Sequence, residues 1–448
     1  MSKYETYKPS GIDWIGEVPK HWQVKRLKNI VLNDIGGLWG DEPADDENDI
    51  IVLRVADFDR TNSRIIDNPE FTYRNIRASQ LEGRLIKQGD ILLEKSGGGE
   101  QQPVGKAVLF DKDFRAVTSN FINKIETIPS VNNHFALYLF DALYYNNINV
   151  RNIKQTTGIQ NLDNTGFFSE NISLPPTAEQ LTIANYLDDQ TQKIDLLIAN
   201  KKGQAEKLKE LRQIEINNAV TKGLNPNAEI KDSGIDWLGE VPKHWAVKRL
   251  KNVSNFIQTG ITPPSEKSEY YDGDIPWYGP SGFNGDTILS NPAKYITQKA
   301  IEDNEAKLFP IDCIFMIGIG ATIGKVGIIK EPSSCNQQLN IVNFKSYVSP
   351  DFGVYLLKTY ENIIIKIANF STLPIYNQVQ TGNLKFLLPP KEEQLQIAKY
   401  LQERTAAIDK LIINIDAQIE KLQELRKIKI YEAVTGKIKV NAYVEATA

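Results

Sequence analysis

The sequence predicts an α+β protein in which two globular mixed α/β domains are separated by two long antiparallel helices forming a coiled coil, with a pseudo-twofold internal repeat. Three observations carry that expectation. The chain has 448 residues, more than one hydrophobic core commonly serves, so at least two domains are expected. A tryptophan-containing motif occurs twice, at 10–29 and 233–252. A long amphipathic segment also occurs twice, starting at Thr177 and at Lys391. The displacement is 223 positions for the motif (His21 to His244) but 214 for the segment (Leu187 to Leu401), so the first intervening region is nine residues longer. The order is motif, variable region, long helix, and then the same again.

The composition, 41% hydrophobic and 24% charged, is that of an ordinary soluble globular protein. Two cysteines, Cys313 and Cys335, make no disulfide framework and indicate a cytoplasmic chain. Three histidines, His21, His134 and His244, offer no metal-ligand spacing. No apolar run has the length of a membrane span, and Met-Ser-Lys-Tyr-Glu does not open a signal peptide. A net charge of −4 argues against a chain generally coated in nucleic acid and leaves room for local basic surfaces.

Taken in order, the first motif holds Trp14, Pro19, His21 and Trp22, with Lys20, Lys25, Arg26 and Lys28 interleaved. Its near-identity to the second copy invites contact with DNA or a partner. Two tryptophans and a proline at fixed spacing more commonly dock a chain onto a core. The first variable region, about 33–172, opens with an acidic, turn-rich stretch, 36–49. Strand-like runs follow at 50–55, 90–94 and 105–110, with a helix near Asn133 to Tyr145.

The first long helix is expected from Thr177 to about Thr221, after Leu174-Pro175-Pro176, and its copy from Lys391 to about Thr435, after Leu388-Pro389-Pro390. Proline is tolerated there because the first turn needs no amide donor, and Glu179 and Glu393 suit the positive end of the dipole. Apolar residues recur at coiled-coil spacing, with the seam expected at Leu187, Ile194, Ile198, Leu208 and Leu211, and at Leu401, Ile408, Ile412, Leu422 and Leu425. At about 1.5 Å per residue each helix spans roughly 65–70 Å, too long for so narrow a seam to be buried alone. Between the halves, 223–227 breaks the helix and reverses the chain. The second variable region, about 254–387, repeats the pattern with strands near 312–316 and 326–329 and a helix near Pro350 to Ile367. The implied division is a globular domain at 1–176, a spacer helix at 177–222, a linker and second domain at 223–390, and a second spacer helix with a tail at 391–448.

Each variable region carries a glycine-rich loop between strands, 96–106 and 318–325, each ending in Gly-Lys. Neither is a Walker loop, because Glu100 and Ile319 stand where its first glycine is needed, and Ala107 and Val326 where its Ser or Thr is needed. Ile323 likewise blocks a dinucleotide fingerprint. Hairpin glycines at positive φ explain the loops structurally, and Lys106, Lys325 and nearby amides can reach phosphates or base edges from them. No methyltransferase Asn/Asp-Pro-Pro-aromatic motif, nuclease cluster or nucleophile triad is present. Catalysis by this chain is not expected.

The order of these features resembles the specificity (S) subunit of Type I restriction-modification systems over essentially the whole chain. The residues carrying it are Pro19–Trp22 and Pro242–Trp245, the Ser96-Gly97-Gly98-Gly99 loop after Leu92-Leu93-Glu94-Lys95, the 320–325 loop, and the twice-repeated Leu-Pro-Pro…Glu-Gln helix start. The resemblance implies a non-catalytic subunit with two target-recognition domains, each reading one half of a bipartite asymmetric DNA site. It implies helices that dock two methyltransferase (M) subunits carrying S-adenosylmethionine, and two restriction (R) subunits needing ATP and Mg. Helix length would then set the unread gap. The rival reading is a non-catalytic coiled-coil adaptor with two protein-binding heads.

Candidate DNA contacts follow from side-chain chemistry. In the first domain they are Lys95, Ser96, Gln101, Gln102, Lys106, Asn120, Gln160 and Asn161. The second region lacks arginine altogether, the commonest bidentate reader of guanine, whereas Asn and Gln pair with adenine. Its candidates are Thr259, Tyr278, Thr322, Lys325, Asn336, Gln337, Tyr376 and Asn377, and its half-site is expected to lean toward A·T pairs.

Overall fold

The computed structural model describes residues 2–67, 70–156, 158–370 and 374–440. The chain divides into two units, 1–202 with 416–448, and 203–415, so each long helix contributes one part to each unit.

In the first unit a six-stranded sheet forms the floor of the domain. Val31–Gly36, Ile122–Thr127, Ile91–Glu94 and Ala107–Leu109 lie side by side in antiparallel register, followed by Arg64–Ile65 and Phe58–Asp59. A three-stranded sheet, Ala116–Thr118, Asp49–Leu53 and Tyr73–Asn75, lies beside it in sequence and pairs its first two strands in parallel. The predicted helix is Asn133–Tyr145, with Asn132 capping it by accepting from Phe135 N. Its buried residues join the strand side chains Ile91, Leu93 and Leu109 in one core. Gln23–Arg26 of the tryptophan motif pairs antiparallel with Asn171–Leu174, the strand that runs into the long helix. Trp22 is fully buried in that core. Docking of the motif onto a core is therefore what the structure shows.

The second unit repeats this plan with Ser254–Thr259, Leu339–Phe344, Ile314–Ile317 and Val326–Ile328 in one antiparallel sheet. Lys294–Ile296, Tyr271–Tyr278 and Ser334–Cys335 form the small mixed sheet. Ala246–Arg249 pairs with Lys385–Leu388, as its equivalent does in the first unit. The single helix expected near Pro350 to Ile367 is two, Pro350–Lys358 and Glu361–Ile367. The break falls at Tyr360, whose ring is buried edge-on against Trp237 at 4.8 Å.

The long helices are Thr177–Lys222 and Lys391–Val434. Gly223, at φ +74°, ends the first, and a Cβ there would lie 3.0 Å from Glu393 and 3.2 Å from Trp245, so only glycine fits the turn. Within the first unit the two helices run antiparallel. Ile183, Ala184 and Leu187 share a core with Ile430, Ala433 and Val434, and Asp195 meets Arg426. The second unit reverses the roles, with Ile216, Ala219 and Val220 beside Ile397, Ala398 and Leu401. The seam expected from sequence needs correction at two positions. Leu187, Ile194, Ile198, Leu401 and Ile408 are buried and Leu208, Ile412 and Leu422 partly so, but Leu211 and Leu425 are exposed. The heptad passes one residue further on, through Arg212 and Arg426.

Candidate nucleic-acid interface

Each globular domain is pinned to the start of its helix by the Glu-Gln pair. Glu179 accepts from Trp22 Nε1 at 2.7 Å and sits 3.0 Å from His21 Nε2. Glu393 sits 2.8 Å from His244 Nε2. Gln180 accepts from Asn132 N at 2.9 Å and donates to Pro175 O at 3.0 Å. Gln394 does the same to Ser349 N and Pro389 O. These contacts give partners to backbone groups at the start of each long helix and at the cap of the neighbouring helix.

The first loop leaves the Ile91–Glu94 strand and is tied down at its base. Ser96 Oγ lies 2.7 Å from Asn161 Oδ1, and Ser96–Gly97 pairs with Gln160 and Asn161. Gly98, at φ +63°, lies where a Cβ would sit 2.6 Å from Val104 N, so the close turn requires glycine. Gln101, Gln102 and Asn120 are exposed, and Lys95, Ser96 and Asn161 are half-buried. Two expectations change here. Lys106 is 1% exposed and its ammonium pairs with Asp141 and donates to Ser63 Oγ at 2.7 Å, packed against Tyr144 and Tyr145. It is a buried strut and presents nothing to a phosphate. Gln160 is also buried and accepts from Val104 N at 3.2 Å.

Beside this loop is a cleft of about 540 Å³ lined by Arg60, Glu94, Gly98, Gly99, Gln101 and Gln102, among others. Arg60 donates to Glu94 at 2.9 Å and to Tyr144 Oη at 2.9 Å. Burial pushes the Glu94 carboxyl above its ordinary range although Arg60 pulls it down. Neither Arg60 nor Glu94 stands in a sequence pattern that marks a site. Only the fold brings together Arg60, in the turn after Phe58–Asp59, and Glu94, at the end of its strand.

The second loop is held differently. Gly320 N donates to Pro374 O at 3.1 Å, Ile319 bridges to Ile375, and Tyr376 N donates to Gly318 O at 2.8 Å. Thr322 and Gln337 are exposed, and Thr259 and Lys325 half-buried. Tyr278 is buried with its hydroxyl on Leu289 O, and Tyr376 is buried with its hydroxyl on Gln380 O. Asn336 is buried and bonds Gln338. These three have no face for a base. Asn377 is exposed but caps the helix Gln378–Asn383, accepting from Gln380 N at 3.0 Å. The loop, Thr259, Gln337 and 375–379 instead enclose a cleft of about 340 Å³.

Among the described residues no helix is long and apolar enough to cross a membrane, and no group of three or more His, Cys, Asp or Glu is arranged to hold a metal ion.

A family model described as the Type I restriction modification DNA specificity domain matches residues 19–207 and 242–421. Both matches begin at the proline of the tryptophan motif. The chain is 26% identical over 434 residues to the putative type I restriction enzyme MjaX specificity subunit of Methanocaldococcus jannaschii, covering 95% of this chain and 96% of that one. Over 201 residues it is 32% identical to the MjaIX specificity subunit of the same organism, covering 44% of each chain. In fold it is similar to a chain from a structure of the type I R-M system concerned with complex assembly and conformational transition (TM-score 0.71, 18% identity, covering 94% of this chain and 99% of that one). The HsdS subunit from Thermoanaerobacter tengcongensis is also similar (TM-score 0.52, 17% identity, covering 94% and 98%).

Proposed function

The chain belongs to the Type I restriction modification DNA specificity family, and from that premise we propose that its two domains read the two halves of a split, asymmetric DNA site while its long helices dock methyltransferase subunits. The chain is a DNA-recognition subunit and is not itself the catalyst. One observation carries the split-site reading. The same scaffold is built twice around glycine loops whose side chains differ, Ser-Gly-Gly-Gly-Glu-Gln-Gln in one and Gly-Ile-Gly-Ala-Thr-Ile-Gly in the other. Like scaffolds hold each reader against a groove in like fashion, and unlike side chains select unlike bases.

Docking of partners on the helices is supported by the apolar residues left in solvent. Leu197 and Leu211 are exposed on the first helix, and their repeat equivalents Leu411 and Leu425 on the second. Exposed leucines repeated in register suit a surface that another protein covers. Two M subunits would supply S-adenosylmethionine, two R subunits would supply ATP- and Mg-dependent cleavage, and phosphate contacts from M would complement a chain whose own net charge is −4.

The test is a domain exchange in the assembled methyltransferase, with methylated adenines mapped across the genome. Replacing residues 31–172 with the corresponding region of another family member is expected to change one half-site and leave the other. Marks that do not move overturn the reading.

A further inference from the structure

Resting on that reading, we propose that the cleft beside the second glycine loop is a thymine-reading site. In it Ile375 and Val379 receive the 5-methyl group of a thymine in the major groove, and the amides of Gln337 and Gln378 address the edge of the paired adenine. The site lies wholly within the second unit and its backbone is fixed. Besides the Ile319–Ile375 bridge and the Tyr376–Gly318 hydrogen bond, Asn340 Nδ2 donates to Tyr376 O at 2.8 Å and to Thr381 Oγ1 at 2.9 Å. Two β-branched side chains stand on this fixed base without entering a core, Ile375 at 40% and Val379 at 72% exposed.

Their polar neighbours are amides. Gln337 Oε1 accepts from Thr262 Oγ1 at 2.6 Å, which leaves its NH₂ to donate to an acceptor such as adenine N7 or thymine O4. Gln378 makes no side-chain hydrogen bond to another described residue, so both its donor and its acceptor are available to the N6/N7 edge of adenine. No carboxylate is among the described residues that line the cleft, and Lys307 Nζ donates to the backbone O of Thr259, one of the lining residues, at 3.3 Å. Apolar contact for a methyl group, amides for the base edge and a cation for the backbone suit A·T-containing duplex DNA better than a protein partner. Arginine, the usual reader of guanine, is absent from 254–387.

The experiment uses the full chain assembled with its methyltransferase partner and the site defined by adenine-methylation mapping. Each thymine of the second half-site is replaced in turn by deoxyuridine, which removes only the methyl group. Loss of one buried methyl at about 0.8 kcal/mol is expected to weaken binding about fourfold at one position or more. The Val379→Ala and Ile375→Ala complexes are expected to bind thymine and uracil duplexes alike, and both residues are exposed enough for truncation to leave the fold intact. Lys307→Gln is expected to weaken binding to all sequences equally. If wild type ignores every thymine methyl while methylation remains sequence-specific, the thymine assignment falls and the specificity-subunit reading stands. If Val379→Ala instead prevents assembly with the methyltransferase, the cleft is a protein interface and the assignment also falls. If the complex shows no sequence preference in methylation at all, both readings fall.

Discussion

Arg426 Nε lies 3.2 Å from Asp195 Oδ1, an arginine of the second long helix meeting an aspartate of the first on the seam between them. The duplication makes this pair half of a reciprocal set. Asp195 corresponds to Asp409 and Arg426 to Arg212, and in the second unit Arg212 Nε lies 2.8 Å from Asp409 Oδ1. Each unit therefore joins an arginine from one copy to an aspartate from the other. A charged residue at one heptad position penalises shifted registers, in which it would lie against apolar neighbours.

The two pairs are equivalent in sequence but not in burial, so their loss should not cost the same. The Arg426 side chain is 6% exposed, whereas Asp409 of the other pair is 46% exposed. Arg426→Ala strands a partly buried carboxylate and is expected to destabilise the first unit by about 3 kcal/mol. Arg212→Ala should cost about 1 kcal/mol or less in the second. Urea unfolding of the two variants checks this, and equal losses would contradict it.

Lys106 supplies a second contrast. Lys106→Met leaves Asp141 buried with Ser63 as its remaining partner and is expected to lose about 3–5 kcal/mol of stability. The salt dependence of DNA binding by the folded remainder should keep its slope, which a phosphate contact would lower by about one. A reduced slope at unchanged stability would return Lys106 to the interface.

The helix-start glutamates also differ. Glu179 accepts from the buried Trp22 indole, but the Trp245 indole nitrogen is buried without a side-chain or backbone acceptor among the described residues. Glu179→Ala is therefore expected to cost about 1–3 kcal/mol through the stranded N–H. Glu393→Ala removes only a half-exposed histidine contact and should stay within about 1 kcal/mol. Thermal unfolding distinguishes them.

Lys358 carries a pH dependence. Burial lowers its pKa from 10.5 to about 8, with Arg212 adding to the effect, while its ammonium donates to Gly285 O at 2.6 Å. The unfolded chain then binds more protons between these values, so stability rises with pH across them and the contribution is lost as pH falls through about 8. Wild type should therefore gain stability relative to Lys358→Met between about pH 7.5 and about pH 10. A difference independent of pH would place the ammonium in water.

The sequence by itself determined the architecture, because its signals are local and repeated. Proline pairs, a glutamate in the first turn and a 3.5-residue apolar period mark both long helices, which begin at the expected residues and end within a residue of the expected positions. The helix Asn133–Tyr145 is likewise legible from its own pattern. Tertiary structure decided which residues of each pattern matter. Leu211 and Arg212 are adjacent in a helix and differ by about 100° in direction; the partner helix, not composition, puts the arginine on the seam. Lys106, Tyr278 and Tyr376 have the chemistry of base or phosphate readers, but burial takes each polar group into a contact within the fold, Lys106 with Asp141, Tyr278 with Leu289 O and Tyr376 with Gln380 O. The clefts beside the two glycine loops draw on segments far apart in the chain, Arg60 with Glu94 and Gly98, and Thr259 with Ile319, Gln337 and Val379. Periodicity reports a residue's direction along its own element, while burial and pairing depend on what the rest of the chain brings against it.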